Sequence, residues 1–168
     1  GSARAEVAKL GVKSMSNMFS VDAMLSAGRA DPYEVRKYCK AVEKRLNEAK
    51  RFRLITGEGE ELIGSLEGRK SYILCPIAEP PHNSGTFAGG ETMMAPIEGS
   101  AEGTILIDGA IGGGIGDMSK PVKITICDGK IVDAEGGVEA TLLKQLIFDK
   151  YGYDENAQNL CELAIGTN

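Results

Sequence analysis

The sequence predicts an α+β fold, with a mostly antiparallel, twisted sheet or partly open barrel and two packing helices. Three observations carry that reading. Residues 32–50 repeat apolar side chains at three- and four-residue steps, as a helix with one buried face does. Residues 51–66 and 121–133 change to a period of two around turn-forming pairs, as β-hairpins do. Residues 138–150 then return to the helical period.

At 168 residues the chain is long enough for one domain with a real core. A net charge of −5 supplies no basic footprint, so nucleic acid is not an expected partner. No stretch resembles a signal peptide and no apolar run approaches a membrane span, so no membrane association is expected. Cys39, Cys75, Cys127 and Cys161 lie far apart, without a CxxC pair or zinc-finger spacing. They read as free, mostly buried thiols in a reducing cytoplasm.

The opening 30 residues are the least regular. Met15, Met18, Phe19, Val21, Met24 and Leu25 keep no clean period, and Gly11 and Gly28 interrupt them. A short strand near Val12 to Met15 and a short helix over Val21 to Ala27 are expected, with the methionines packing on a neighbour or a partner subunit. Asp31-Pro32 is a helix start, a side-chain cap followed by proline at the first helical position. Val35, Tyr38, Cys39, Val42 and Leu46 form the apolar face behind it, and lysines, arginines and glutamates fill the solvated side.

From Arg51, Phe52, Leu54 and Thr56 alternate with their neighbours, and Gly57-Glu58-Gly59-Glu60 supplies the turn into Leu62 to Leu66. That acidic turn lacks the EF-hand ligand pattern and reads as an exposed turn. Ser71 to Pro76 is a short strand, and a loop rich in breakers follows it. His82, in that loop, is the sole histidine. A zinc site normally recruits several histidines or cysteines, so His82 alone is weak evidence for a ligand. Ile111 to Gly116 (IGGGIG) has neither a following Lys-Ser/Thr pair nor a helix opening behind it, and reads as a mobile connection. Asp128-Gly129 is the preferred two-residue hairpin turn between Val122–Ile126 and Ile131–Val132.

The stretch Phe87 to Ile111 organises the chain. It places Glu91 directly after Gly89-Gly90 and beside Met93, Met94 and Pro96, with an apolar strand over Thr104 to Asp108. Glycines permit a sharp turn or a close backbone approach. A carboxylate buried there would need a cation or hydrogen-bond donors. Glu91 is therefore a candidate metal ligand, and its competing role is a structural hydrogen-bond acceptor. Glu162, in the apolar run Cys161 to Ile165, is a second carboxylate of the same kind.

The blocks GGETMMAPIEGSAEGTILIDGAI, PVKITICDGKIVDAEGG and LCELAIGTN, in that order, resemble the second half of thermophilic metalloaminopeptidases of the aminopeptidase T (leucyl aminopeptidase) type. The related 2,5-dihydroxypyridine dioxygenases share the pattern. The resemblance is collinear from about Ser14 to the last residue and implies that Glu91 and Glu162 bind metal. It places the remaining ligands and the catalytic tyrosine beyond the last block. Residues 1–30 would then be a remnant of a preceding α/β domain and linker, and residues 31–168 a metallopeptidase-like domain truncated before its last ligands. The chain thus reads as a fragment of a homodimeric, cytoplasmic enzyme.

On this resemblance the parent is expected to be a metal-dependent aminopeptidase-like hydrolase acting on peptides, using zinc, cobalt or manganese. Two carboxylates can flank a pair of metal ions that activate water and polarise the scissile carbonyl. The alternative is a mononuclear iron(II) dioxygenase that opens a hydroxylated aromatic ring and needs only Glu91 from this region. A third reading makes the chain a non-catalytic structural or dimerisation piece. The GGE and IGTN forms look closer to the dioxygenase-like and uncharacterised branches than to the strict peptidases.

Overall fold

The computed structural model describes residues 3–16, 20–80 and 83–168. In chain order the elements are α1 (Ala3–Lys9), β1 (Ser14–Ser16), α2 (Val21–Ala27), α3 (Pro32–Glu48), β2 (Arg51–Thr56), β3 (Glu60–Ser65), β4 (Tyr72–Leu74) and β5 (Ser84–Thr86). Then follow β6 (Glu91–Met94), β7 (Glu102–Ile107), β8 (Ala110–Ile111), β9 (Gly116–Asp117), β10 (Val122–Cys127), β11 (Lys130–Glu135), α4 (Val138–Lys144) and β12 (Leu163–Gly166). A π-helical segment, Gln145–Lys150, continues α4. The expected α+β class holds, with mostly antiparallel sheets. Among the described residues no sheet closes into a barrel, because each keeps two edge strands.

The chain folds as two compact units, the first from residues 1–48, 70–94 and 163–168 and the second from residues 49–69 and 95–162. In the second unit five antiparallel strands run in the order β11-β10-β7-β3-β2. Alternation puts Val122, Ile124 and Ile126 on one face of β10, each at most 4% exposed. They pack with Leu62, Ala134 and the α4 residues Ala140 and Leu143. Burying each large side chain contributes about 1.5–3 kcal/mol. Asp128 and Gly129 both adopt positive φ (49° and 71°), as the twist of a tight hairpin requires. The sequence led us to expect one α-helix over residues 138–150. Instead the last six residues widen to π geometry, with Ile147 and Phe148 both against the core.

The IGGGIG run forms a hairpin turn rather than an unpaired connection. It turns between β8 and β9, which pair Ala110 with Asp117 and Ile111 with Gly116.

In the first unit three antiparallel strands run in the order β12-β6-β4, and β1 pairs in parallel with β5. Helix α3 lies on β6 and β4. Val35 and Cys39 of its buried face pack with Cys75, Ile73 and Ile77. The Asp31 carboxylate caps this helix, accepting from the Tyr33 and Glu34 N–H groups at 2.7 and 3.2 Å. The short helix expected over Val21–Ala27 is α2, capped by the Ser20 hydroxyl. The expected strand near residues 12–15 is shifted to β1, whose Met15 is 48% exposed. Met18 and Phe19 lie outside the described residues. Among the described residues no helix is long and apolar enough to cross a membrane.

Candidate functional site

Glu91 does not sit on the glycine turn. It is the first residue of β6, the central strand of the three-stranded sheet. The turn before it closes through the Gly89 N–H donating to Thr86 O at 3.0 Å. The left-handed residue of that turn is Ala88, at φ 58°. A non-glycine residue held there is mildly strained, a feature that concentrates at functional sites.

The glycine pair serves close approach instead. A methyl group on Gly90 would come within 2.5 Å of Asn168 Cβ, 2.9 Å of Val35 Cγ1 and 3.0 Å of Asn168 N. Only a residue without Cβ lets the backbone of residues 167–168 lie against it. The contact is fastened by the Thr167 N–H donating to Gly90 O at 2.7 Å.

Strand alternation then decides which way β6 points its side chains. Thr92 is fully buried, and its hydroxyl donates to Cys39 O on α3 at 3.0 Å. Met94 is likewise buried. Glu91 and Met93 therefore take the other face. Register places Glu91 between Leu74 of β4 and Gly166 of β12. Half-buried, it lines a cavity of about 340 Å³ whose other walls include Ala23 and Ala27 of α2, Leu74, Ala88, Gly166 and Asn168. Ala23 and Ala27 are one helical turn apart and present small side chains on one face of α2.

The amide of Asn168 ties two of these walls together. It donates to Ala88 O at 2.9 Å and Ala27 O at 3.3 Å, with Gly89 O at 3.5 Å. Asn168 is the residue that the sequence reasoning missed. It was visible only as part of the IGTN block, because its partners are carbonyl oxygens that no sequence pattern marks.

The cavity is small-walled and mostly apolar, and its one carboxylate side chain is Glu91. That combination suits a small, largely apolar ligand held by few polar contacts. A second recess, of about 290 Å³, runs along Arg36, Lys40 and Glu79. There Arg36 and Glu79 form an ion pair that raises the arginine and holds the Glu79 carboxyl below its usual range. Each largely satisfies the other, and Lys40 is matched by Glu43 in the same lining, which leaves that recess little net charge for a ligand.

The other candidate ligands stand differently. Glu162 is exposed in the segment before β12 and belongs to the second unit, not in the apolar surroundings expected of it. It does not line the cavity that Glu91 lines. His82 lies outside the described residues. Among the described residues no three His, Cys, Asp or Glu side chains are grouped to hold an ion. The described residues therefore do not complete a metal centre. Glu91 fits as one ligand, since carboxylate oxygen is an acceptable donor to iron(II). The thiols divide evenly, with Cys39 and Cys75 buried but Cys127 and Cys161 exposed.

Comparison with known proteins decides between the expected families. No curated protein matches the chain. The solved 2,5-dihydroxypyridine dioxygenase of Pseudomonas putida KT2440 superposes with a TM-score of 0.81 at 19% identity, over 97% of this chain and 46% of that one. Wild-type AmpT of Thermus thermophilus superposes with a TM-score of 0.53, also at 19% identity, over 87% of this chain and 34% of that one. At such identities the likeness shows the fold, and the chain spans less than half the length of either structure.

Residues 2–168 match the family NicX, 2,5-dihydroxypyridine 5,6-dioxygenase. This match overturns the expectation of an aminopeptidase-like, peptide-cleaving metallohydrolase. The family model covers residues 2–168, and the dioxygenase structure superposes better than the aminopeptidase, with TM-scores of 0.81 and 0.53. Membership of such a family also implies a metal in the whole protein. The chain belongs to the 2,5-dihydroxypyridine 5,6-dioxygenase (NicX) family.

Proposed function

We propose that the protein of which this chain forms part is an iron(II)-dependent ring-cleaving dioxygenase acting on a small hydroxylated pyridine-type ring. The observation that carries the reading is the family match over residues 2–168. The geometry around Glu91 supports it, with one carboxylate on the wall of an apolar cavity of about 340 Å³. Iron(II) held by few side chains keeps open positions for oxygen and substrate, and this is the chemistry the metal would supply.

This chain's own residues have defined tasks in that reading. Glu91 offers one carboxylate oxygen to the metal from the centre of a sheet, and rigid elements hold ligand geometry better than loops do. Leu74, Ala23 and Ala27 exclude water and receive the ring. Asn168 keeps α2 and the Ala88–Gly90 turn in place. Glu162 has no part in the reaction. Self-association as a homodimer belongs to the same proposal, and sedimentation of the whole protein reads it directly.

The experiment is oxygen uptake by the iron-loaded whole protein on 2,5-dihydroxypyridine. Uptake stoichiometric with ring loss is expected. Glu91→Ala should lower it at least about tenfold, because even loss of an outer-shell partner costs a metal site that much. Glu162→Ala should leave it unchanged. Peptide hydrolysis without oxygen consumption, or insensitivity to Glu91→Ala, would refute the proposal.

A further inference from the structure

The glycines that line the Glu91 cavity are not alike. A methyl group on Gly89 would lie 2.9 Å from Thr86 O, and one on Gly90 would lie 2.5 Å from Asn168 Cβ. Packing therefore requires both. Gly166 differs, since a methyl group there would meet nothing within 4 Å. Its backbone is extended within β12, and it is absent from the positions of positive φ. Neither sterics nor backbone conformation calls for glycine at this position.

Glycine also weakens a strand relative to other residues, through lost chain entropy and a missing side chain. A β-branched residue would serve the fold better on an edge strand such as β12. What glycine does supply at 166 is open space. Gly166 is the direct cross-strand partner of Glu91, so the two positions share one face of the sheet. Both line the same cavity.

We propose that Gly166 is a specificity-determining position, and that its missing side chain is the slot in which an edge of the bound ring lies beside Glu91. This rests on the dioxygenase reading above for the identity of the ring. The slot admits a flat, unsubstituted ring edge. A methyl group at 166 narrows it, and an isopropyl group closes it. Ala23 and Ala27 line the same cavity with small side chains, so a bulky side chain at 166 would be its principal obstruction.

The test compares Gly166→Ala and Gly166→Val with the wild type in the iron-loaded whole protein. Three quantities are read: the thermal midpoint, the affinity for 2,5-dihydroxypyridine without oxygen, and turnover in air. The thermal midpoint should stay level or rise in both variants. Affinity should fall several-fold in Gly166→Ala and at least about tenfold in Gly166→Val, in line with the free energy of a misplaced methyl group or two in a binding pocket. A side chain that matters only for folding cannot move stability and affinity in opposite directions.

Unchanged affinity in Gly166→Val overturns the proposal. So does a fall in thermal midpoint that accompanies the loss of binding, which would make Gly166 a packing residue. A wild type that binds no ring overturns it as well. Binding that Gly166→Val blocks, with no turnover in the wild type, would sink the dioxygenase reading and leave the slot standing. Normal turnover with indifference to Gly166→Val would do the reverse.

Discussion

Gly90→Ala is the most direct probe of how the site is held together. The added methyl group would sit 2.5 Å from Asn168 Cβ, 2.9 Å from Val35 Cγ1 and 3.0 Å from the backbone nitrogen of Asn168. Side-chain rotation relieves none of the backbone contact, and Val35 is only 4% exposed, so it has little room to move. The strand must shift, which also stretches the 2.7 Å bond from Thr167 N–H to Gly90 O. Overpacking of this kind costs about 1–3 kcal/mol. At the middle of that range, about 2 kcal/mol, a domain of this size loses about 4–8 °C in thermal midpoint. Urea unfolding followed by circular dichroism gives the free energy directly. A loss below about 0.5 kcal/mol, the scatter of ordinary surface substitutions, would show that residues 167–168 do not pack on Gly90.

Other consequences follow from the same contacts. Asn168→Asp keeps the shape but turns an acceptor toward Ala88 O, Ala27 O and Gly89 O. It should cost about 1–3 kcal/mol by urea unfolding, and an unchanged midpoint would dismiss the clamp. In the second unit, the buried Glu139 carboxylate accepts from Ser119, and this, with its own backbone N–H, holds its pKa below the ordinary 4.5. A depressed folded pKa stabilises fully above the unfolded value and is lost as pH falls through the lower folded value. Stability should therefore decline below about pH 4.5, and less steeply in Glu139→Gln; identical acid profiles would contradict the assignment. A thiol reagent should label Cys161 before Cys127, whose thiol is pushed up chiefly by the Glu102 carboxylate and then by burial and Asp128. Cys39 and Cys75 should react only on unfolding, and early labelling of either would refute their burial.

The periodic elements were legible because a single stretch of chain carries the whole signal. The Val35, Cys39 and Leu46 spacing and the Asp31-Pro32 start located α3, and Asp128-Gly129 located the β10–β11 hairpin. Elements that depend on distant partners were not legible. Strands β1 and β5 are three residues each and pair Ser14 with Ser84 across most of the first unit, so neither holds enough residues for a period. The same holds for the site. Glu91 stood out as a carboxylate in an apolar stretch, yet the glycines beside it suggested a turn, whereas the left-handed residue is Ala88. Its neighbours Leu74 and Gly166 come from the middle and the far end of the sequence, and only strand pairing brings them together. Glu162 shared the local apolar pattern without the tertiary setting, and it is exposed. The peptidase expectation failed for a related reason. Both solved structures superpose on this fold, so blocks that reflect the fold do not by themselves separate the two reactions.

The central claim is that Glu91 is a ligand of the metal, and one measurement addresses it. The whole protein, purified without chelator, would be analysed for metal beside its Glu91→Ala variant, with folding of the variant checked by its thermal midpoint. The account predicts a single iron in the wild type and its loss, or a weakening of at least about tenfold, in the variant. Iron retained at full occupancy by a folded Glu91→Ala protein, or a pair of zinc ions in the wild type, would contradict it.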